Sequence, residues 1–232
     1  MSQRFFVESP IGEAASARLV DSEAQHLAKV MRAKLGDEVT LFDGSGQEFT
    51  GRISAIGKSA VDLEIVQRRP IDRELRNPLT LAVSLPKGDR QKVLVEKLVE
   101  LGVTRLIPLD TQRSVAEGTP AALARLLRQV IEASKQCGRN RLMEIAEPLT
   151  LSRLIETTAA AELRVLAHPA GGALSALSPS AAATVAIGPE GGFTDDEIAA
   201  AQAAGWEIVA FGPRTLRIET AALALAALLA KQ

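Results

Sequence analysis

The first part of the chain alternates apolar and polar positions, as half-buried β-strands do. "EVTLFD" and "QEFTGRISA" flank the turn-forming stretch "DGSGQ", so the three together predict a β-hairpin. "AVDLEIV" continues the alternation and predicts a further strand. A helix is predicted over 23–33, behind a capping-box pattern. The N-terminal part is therefore predicted to be a small β-rich unit.

A charged segment without this alternation follows the predicted strands. "QRRPIDRELRNP" contains two prolines and lacks any apolar periodicity, as expected of a linker between domains. We therefore expect two domains, comprising residues 1–70 and 71–232.

From residue 79 onward, apolar runs typical of buried strands alternate with helical stretches. Helices are predicted over 90–101, and from Thr119 and Pro120 (an N-cap and a first-turn proline) to about residue 138. The strand-like runs are "LTLAVSLP", "RLIPLD", "MEIAEP", "LRVLAHP", "TVAIGP" and "WEIVAFG". This alternation predicts an α/β domain with a largely parallel sheet.

The predicted sheet also indicates where a ligand would bind. In open parallel sheets, ligands lie at the carboxyl ends of the strands. The end of 163–168, the loop 188–193 and the loop 211–217 are such positions. We expect the functional site there.

Composition narrows the class of protein. Hydrophobic residues make up 47% of the 232 positions, enough for a core, so disorder is not expected. A net charge of −1 argues against a strongly basic nucleic-acid binder. However, residues 77–150 carry more basic than acidic side chains and 151–232 the reverse, so a local anion-binding face is possible on charge grounds.

The number of cysteines and the sequences at the two chain ends indicate in which cellular compartment the protein is expected. Cys137 is the single cysteine, which excludes an intramolecular disulfide and fits a reducing compartment. One cysteine and two histidines also argue against a metal site. "MSQRFFVESP" lacks a signal-peptide pattern, and "ETAALALAALLAKQ" is shorter than the roughly 20 residues that span a bilayer. A cytoplasmic protein without a membrane partner is therefore expected.

The stretch "AIGPEGGFTDDEI", residues 186–198, joins a glycine-rich loop to a helix start. It lacks the lysine of a phosphate loop and the glycine spacing of a dinucleotide-binding turn. Thr194 and Glu197 form a capping-box pattern, and Asp195 and Asp196 add negative charge at the same helix end. A polyphosphate would be repelled, so the pattern indicates either a phosphate-free, positively charged ligand or an ordinary well-capped β–α turn.

A second loop, "FGPRTLRIETA" at 211–221, also follows an apolar strand and runs into an apolar helix. It places Arg214 and Arg217 beside Glu219, which by itself describes a helix start with a surface ion pair. Two such loops meeting at one sheet edge favour a binding site more than either alone.

"GPEGGF" followed by "FGPRTLRIETA" resembles the two C-terminal motifs of the SPOUT-superfamily RNA methyltransferases. The resemblance is to the branch, the RsmE family, that methylates N3 of a uridine in 16S ribosomal RNA. The other matching stretches, in chain order, are "RFF", "HLAKVMRAKLGD", "EKLVELGV", "RSV" at 113–115 and "EASKQCGRNRLMEI". The resemblance covers nearly the whole chain.

This resemblance implies a fold, a cofactor and partners. The fold would be an α/β SPOUT domain with a deep C-terminal trefoil knot, preceded by a PUA-like RNA-binding β-barrel. The cofactor would be S-adenosylmethionine, whose sulfonium suits an acidic loop. The partners would be 16S rRNA within a small ribosomal subunit and a second copy of the chain, as a homodimer. Two alternatives stay open: a non-catalytic RNA-binding protein that retains the fold, and an oxidoreductase with a nucleotide cofactor.

The resemblance also assigns a cofactor pocket to the two loops and the strands before them. Ile187 would pack on adenine, and His168 would lie near the pocket unless it is an ordinary loop histidine. The full set of predicted cofactor residues is His168, Ile187, Gly188, Pro189, Glu190, Gly191, Gly192, Phe211, Gly212, Leu216, Arg217, Ile218, Thr220 and Ala221.

The implied reaction has a definite chemical demand. The N3 atom of uracil carries a proton, and losing it spreads negative charge onto O2 and O4. Arginine suits stabilisation of that anion, which makes Arg113, Arg139 and Arg217 candidates, although each could instead contact phosphate or solvent. Glu190 is the candidate base, or else it holds ribose or orders its loop.

RNA-binding candidates come from two stretches. "KQCGRNR" offers a short basic cluster with amides that could read a base edge, or merely a solvated surface. The N-terminal "RFF" and "HLAKVMR" offer cations and a histidine, which could instead be a half-buried helix residue. The candidates are Arg4, His26, Arg32, Lys135, Gln136, Arg139, Asn140 and Arg141.

Overall fold

The computed structural model describes residues 4–114, 119–160, 163–173 and 182–230, and Val115 of the "RSV" stretch lies outside them. These residues form two compact units. The first runs as far as Glu74 and also includes Ile131–Leu142, and the second comprises the described residues of Leu75–Val130 and those from Met143 onward. The return of Ile131–Leu142 to the first unit is a tertiary feature that the predicted boundary at residue 70 did not contain.

The first unit is built on a mainly antiparallel sheet. Its strands are β1 (Arg4–Phe6), β2 (Ser16–Val20), β3 (Glu38–Phe42), β4 (Gln47–Ile56) and β5 (Ala60–Pro70), in the order β1-β3-β4-β5-β2. β1 pairs with β3 in parallel, and the other pairings are antiparallel. The predicted hairpin is confirmed, with Gly44 and Gly46 taking the positive φ angles, +86° and +95°, that its turn requires.

The helix predicted over 23–33 is different in the structure. An α-helix, α1 (Asp21–Gln25), passes directly into a π-helical turn over His26–Val30. Its N-cap is Val20 and makes no side-chain cap bond, so the expected capping box is wrong. Leu27 on this turn is buried with Phe5, Leu41 and Leu63 in the core of the unit. The segment is thus helical as predicted, but with a π-helical second half that the sequence pattern did not indicate.

The second unit confirms the predicted α/β fold. Its strands are β6 (Leu79–Val83), β7 (Arg105–Asp110), β8 (Glu144–Ile145), β9 (Leu149–Thr150), β10 (Leu163–Ala173), β11 (Ala183–Ile187) and β12 (Glu207–Ala210). They run in the order β12-β10-β11-β6-β7-β8, with β9 on β7, and every pairing is parallel. β11 is buried along its whole length, as expected when helices cover both faces of a sheet.

The helices follow the strands as the alternation predicted. They are α2 (Arg90–Glu100), α3 (Pro120–Cys137), α4 (Leu151–Thr157), α5 (Asp195–Ala203) and α6 (Ile218–Leu229). The predicted start at Thr119 is confirmed, because its hydroxyl accepts from the Ala122 amide at 3.3 Å. After the edge strand β12, α6 returns to pack against β6, β11 and α2. Within the described ranges, no helix is both long and apolar enough to cross a bilayer.

Candidate active site at the carboxyl edge of the parallel sheet

An open cleft of about 680 Å³ lies in the second unit, at the carboxyl ends of β11 and β12 and beside Ala167, His168 and Pro169 in the middle of β10. β10 pairs with both β11 and β12, and its Ala167 is level with Ile187 at the end of β11, where the register with β12 also shifts. The cleft wall is mainly glycine, proline and aliphatic side chains. The predicted residues that line it are His168, Ile187, Gly188, Pro189, Glu190, Gly192, Phe211, Gly212, Leu216, Ile218 and Ala221.

Some predicted cofactor residues lie elsewhere, although the structure describes all of them. Gly191, Arg217 and Thr220 are outside the cleft wall, and the side chains of Arg217 and Thr220 are exposed. Residues that were not among the predicted cofactor residues complete the wall, because they lie on the same strands or in the same two loops. They are Ala167, Pro169, Phe193, Val209, Ala210, Arg214 and Thr215.

Close packing shapes the glycine-rich loop after β11. A Cβ atom on Gly188 would lie 2.9 Å from the buried ring of Phe193, and Gly192 has a φ of +68°. The Gly192 amide donates to the Pro189 carbonyl at 2.8 Å, which closes the turn. The loop therefore needs glycine at one position for space and at the other for conformation.

The helix that follows this loop is capped by its own side chains. The Thr194 hydroxyl accepts from the Glu197 amide at 3.3 Å, and the Glu197 carboxylate accepts from the Thr194 amide at 2.8 Å. The predicted capping box is thus confirmed. Asp195 and Asp196 stand in the same first turn. This helix end is already neutralised, which makes it a poor anion site.

Glu190 pairs with an arginine from another strand-end segment. The Arg90 Nη1 atom donates to Glu190 Oε1 at 2.8 Å, and the same nitrogen lies 3.7 Å from Glu219 Oε2. The hydrogen bond from Arg90 lowers the pKa of the Glu190 carboxyl, and the positive charges of Arg90, Arg217 and Lys87 lower it further. Glu190 is therefore held as a carboxylate, which weakens it as a proton acceptor.

Arg113 supports the glycine-rich loop from the neighbouring segment after β7. Its Nη1 atom donates to the Gly191 carbonyl at 2.7 Å. The adjacent Gln112 amide donates to Glu197 Oε1 at 3.1 Å. These two bonds join the segment after β7 to the loop after β11, so Arg113 lies beside the cleft as part of its scaffold.

A second cavity of about 440 Å³ adjoins the cleft and was not anticipated from the sequence. It lies where β6 and β7 end. The two cavities share Pro189, Glu190 and Ile218, and the second is otherwise lined by Ser84, Leu85, Pro86, Lys87, Arg90 and Ser114. The stretch "SLPKGDR" after β6 was the available signal, because it is another strand-end loop with two cations.

Hydroxyl groups form the floor between β6 and β7. The buried Ser84 hydroxyl donates to the Leu109 carbonyl at 3.0 Å and lies 3.3 Å from the Ser114 hydroxyl. Ser114 in turn accepts from the Thr111 amide at 3.0 Å. The second cavity thus has a polar floor, cations on one side and apolar walls at Leu85 and Pro86.

In the first unit, several predicted RNA contacts are buried instead. Arg139 is 4% exposed and forms a bidentate ion pair with Glu74 through Nε and Nη2. Asn140 is 2% exposed; its Oδ1 accepts from Arg4 Nη2 at 2.7 Å and its Nδ2 donates to the Ile71 carbonyl at 3.1 Å. The expectation that Arg139 and Asn140 face RNA or the reacting base is corrected, because their polar groups hold the 131–142 segment within this unit.

Other RNA candidates do share one surface of the first unit. Arg4, His26, Lys135 and Gln136 line a cavity of about 1,110 Å³. Arg4 is largely enclosed there, paired with Glu48 and with its guanidinium 5.0 Å from the Phe42 ring centroid. The remaining candidates lie apart from it: Arg32 and Arg141 are exposed outside this cavity. In the part of the chain that the structure describes, no group of histidine, cysteine and acidic side chains is placed to hold a metal.

Two domain families match this chain. Residues 73–230 match the RNA methyltransferase domain, and residues 19–66 match the RNA methyltransferase PUA domain. The chain belongs to the RNA methyltransferase family.

Its relatives are more specific. It is 33% identical over 215 residues to the ribosomal RNA small subunit methyltransferase E of Synechocystis, covering 89% of this chain and 70% of the relative. The enzyme of the same name from Neisseria gonorrhoeae, solved bound to S-adenosyl methionine, superposes with a TM-score of 0.89 at 30% identity, over 98% of this chain and 96% of that one. A methyltransferase from Legionella pneumophila, solved with the same cofactor, has a TM-score of 0.89 at 31% identity over 98% and 97% of the two chains.

Proposed function

We propose that this chain is an S-adenosylmethionine-dependent methyltransferase that methylates N3 of a uridine in 16S ribosomal RNA. The observation that carries the proposal is the cleft beside the glycine-rich loop, in a chain similar over nearly its whole length to methyltransferases of that ribosomal subunit. The alternative of a non-catalytic RNA-binding protein is not favoured, because both strand-end loops retain an open cleft between them. The oxidoreductase alternative lacks the phosphate-binding loop that it requires.

The residues around the cleft fit this cofactor. It is a concave, mainly apolar site with a few polar groups, as small-molecule sites usually are. Ile187, Leu216 and Ala221 offer apolar walls for adenine, and glycines let backbone amides and carbonyls approach its edge. The capped helix end offers little to a phosphate, which the cofactor does not have. When bound, S-adenosylmethionine supplies a methyl group activated by a positive sulfonium.

Glu190 supports the cofactor by charge rather than by taking a proton. Its carboxylate is ionised, because the pKa is lowered, and it lies on the cleft wall. A fixed negative charge stabilises a positive ligand nearby. Arg113 would hold the loop that carries Glu190, and Arg217, which is exposed just before α6, would contact incoming RNA. Gly191 and Thr220 are the remaining predicted cofactor residues. They would hold neighbouring residues of the two loops in position and would not line the cleft themselves.

The two predicted domains would have separate roles, RNA binding in the first and methyl transfer in the second. Residues 1–70 would act as the PUA-like β-barrel that holds RNA through His26 and Arg32. Lys135, Gln136 and Arg141 of the 131–142 segment, which belongs to the same compact unit, would add to this surface. Residues 71–232 would carry the SPOUT fold with its deep trefoil knot. The path of α6 supports the knot, because the chain returns from the edge strand to the centre of the sheet.

A homodimer through the second domain completes the proposal. Val93 on α2 and Leu228 on α6 are apolar side chains that are 46% and 37% exposed. Because α2 and α6 pack together, they offer a surface that a second copy would cover. A substrate within the small ribosomal subunit would place the activity in the cytoplasm.

The decisive experiment is methyl transfer from radiolabelled S-adenosylmethionine. The acceptors are small subunits, naked 16S rRNA and large subunits, all purified from cells that lack this protein. We expect label in N3-methyluridine from small subunits alone. Bound cofactor without label in any small-subunit RNA would refute the substrate, and absence of cofactor binding would refute the enzyme class.

A further inference from the structure

We propose that the second cavity receives the uracil of the acceptor nucleotide, and that Lys87 and Arg90 stabilise the negative charge that develops on it. This inference rests on the proposed function. It assigns a place for the second substrate and two residues that act on it.

The second cavity lies directly beside the cofactor cleft. β6 and β11 are neighbours in the sheet, so the segment after β6 lies beside the glycine-rich loop. The cavity and the cleft share Pro189, Glu190 and Ile218 as a common wall. A reaction between two substrates requires two adjoining sites, and these two adjoin at the loop that the cofactor would touch.

The lining of the cavity suits a pyrimidine better than a phosphate. Arg90 Nη1 lies 2.8 Å from Glu190 Oε1 and 3.7 Å from Glu219 Oε2, and Lys87 adds a second cation to the lining, so the cluster is close to neutral before a ligand enters. A phosphate would lie beside the Glu190 carboxylate, which lines the cavity. A neutral ring can instead rest against apolar Leu85 and Pro86 and reach the serine hydroxyls of the floor.

The charges of the cavity match the course of the reaction. As N3 loses its proton to solvent, negative charge spreads onto O2 and O4. The N3 lone pair then forms the bond to the methyl carbon, while the carbon–sulfur bond breaks and its electron pair stays on sulfur. Cations placed at O2 or O4 stabilise this anion more than the neutral ring, which is the condition for catalysis.

Arg90 is oriented for this task by its own partners. The hydrogen bond to Glu190 uses the Nη1 atom of Arg90. Because a guanidinium has five N–H donors in a planar fork, other donors of Arg90 are left for a ligand. The side chain is one third exposed at the start of α2, so it borders the cavity without being sealed in. Lys87 is fully on the surface of the segment and supplies a movable second charge.

The test is a Lys87→Gln variant with Lys92→Gln as its matched control. Both lysines are exposed, and Lys92 lies on α2 outside the cavity lining. Methylation of small subunits is measured across pH, and S-adenosylmethionine affinity is measured by calorimetry. We expect Lys87→Gln to lower kcat roughly 100-fold, as loss of one donor to a developing anion does, with cofactor affinity unchanged. Its rate should also keep rising with pH beyond the point where the wild type levels off, because solvent must then supply the N3 anion unaided.

An Arg90→Lys variant tests whether the planar guanidinium of Arg90 contributes to the rate beyond its positive charge. It preserves the positive charge beside Glu190 but removes the planar donor set, so kcat should fall while cofactor affinity stays within about twofold.

Three outcomes would overturn the inference. Lys87→Gln and Arg90→Lys variants that both keep the wild-type kcat and pH profile would show that these two cations do not act on the base. A rise in KM that disappears at low salt, with kcat unchanged, would mean a phosphate contact instead. If the wild-type protein transferred no methyl group, the proposed function itself would be refuted. If the wild type were active and both variants equally active, only the present inference would fail.

Discussion

Arg90 Nη1 lies 2.8 Å from Glu190 Oε1, although the two residues are 100 positions apart in the chain. The contact joins the start of α2 to the loop after β11, on the common wall of the two cavities. It exists because β6 and β11 pair side by side. One ion pair thus connects the proposed methyl-donor site with the proposed acceptor site.

Removing the arginine should raise the pKa of the Glu190 carboxyl. Arg90→Gln deletes the hydrogen bond that is the largest cause of its lowered pKa. Carboxyl-carbon NMR titration should then show Glu190 returning toward the ordinary glutamate range. Lys97→Gln, which removes a cation paired with Glu96 and Glu100 further along α2, should leave Glu190 unaffected.

The sign of the pH effect follows from the same shift. A carboxyl whose pKa is lowered in the folded protein contributes its pairing above its unfolded pKa and loses it as pH falls through the lowered value. Anchoring of the glycine-rich loop should therefore weaken only in acid. Hydrogen exchange of the loop amides that increases first at alkaline pH, relative to intrinsic exchange, would contradict this.

Replacing Arg139 should damage stability rather than cofactor binding. Arg139→Ala leaves the Glu74 carboxylate, whose side chain is 16% exposed, without its bidentate partner. Removing one partner of a buried ion pair lowers the free energy of unfolding by about 3–5 kcal/mol. Urea denaturation followed by far-UV circular dichroism measures this change.

Arg18→Ala is the matched control in the same unit. Arg18 and Asp62 form an ion pair whose side chains are 65% and 40% exposed, so solvent screens the pair and its loss should change stability little. If Arg139→Ala proved as stable as this control yet failed to methylate RNA, Arg139 would be a substrate contact after all.

Gly188→Ala should weaken cofactor binding. The added Cβ would lie 2.9 Å from Phe193 Cε2, so the ring must move within the cleft wall. We expect the dissociation constant for S-adenosylmethionine to rise at least about tenfold, since a displacement worth 1.4 kcal/mol is enough. Calorimetry measures it, and unchanged affinity would place the cofactor away from this strand end.

Gly171→Ala should strongly destabilise the second unit. Its Cβ would meet the backbone N and C atoms of Val209 at 2.6 Å, and backbone cannot move aside as a side chain can. Separation of β10 from β12 should cost about 3 kcal/mol or more. Gly172→Ala is the control, because its nearest atom, the Ile208 carbonyl oxygen, would lie at 3.9 Å. Equal melting temperatures for the two variants would contradict the strand packing.

Local patterns along the sequence predicted much of this fold. The hairpin at Gly44 and Gly46, the start of α3 at Thr119 and the capping box of Thr194 with Glu197 depend on neighbouring residues, so short stretches carry their signal. The α1 segment shows the limit of this signal. There a capping-box pattern predicted a regular helix, whereas the structure has no such cap and has a π-helical turn at His26–Val30, with Leu27 in the core.

Tertiary structure decided the partners of the charged residues. The sequence determined an α/β domain, its strand-end loops and the acidic character of one of them, because hydrophobic period and turn chemistry are local. It did not determine that Arg139 would be buried against Glu74, 65 positions earlier, or that Lys87 and Arg90 would border the loop of Glu190. Those relationships follow from the order of strands in the sheet and from the return of the 131–142 segment. Pairing between distant residues produces no periodic pattern in the sequence, so it could not be predicted from the sequence.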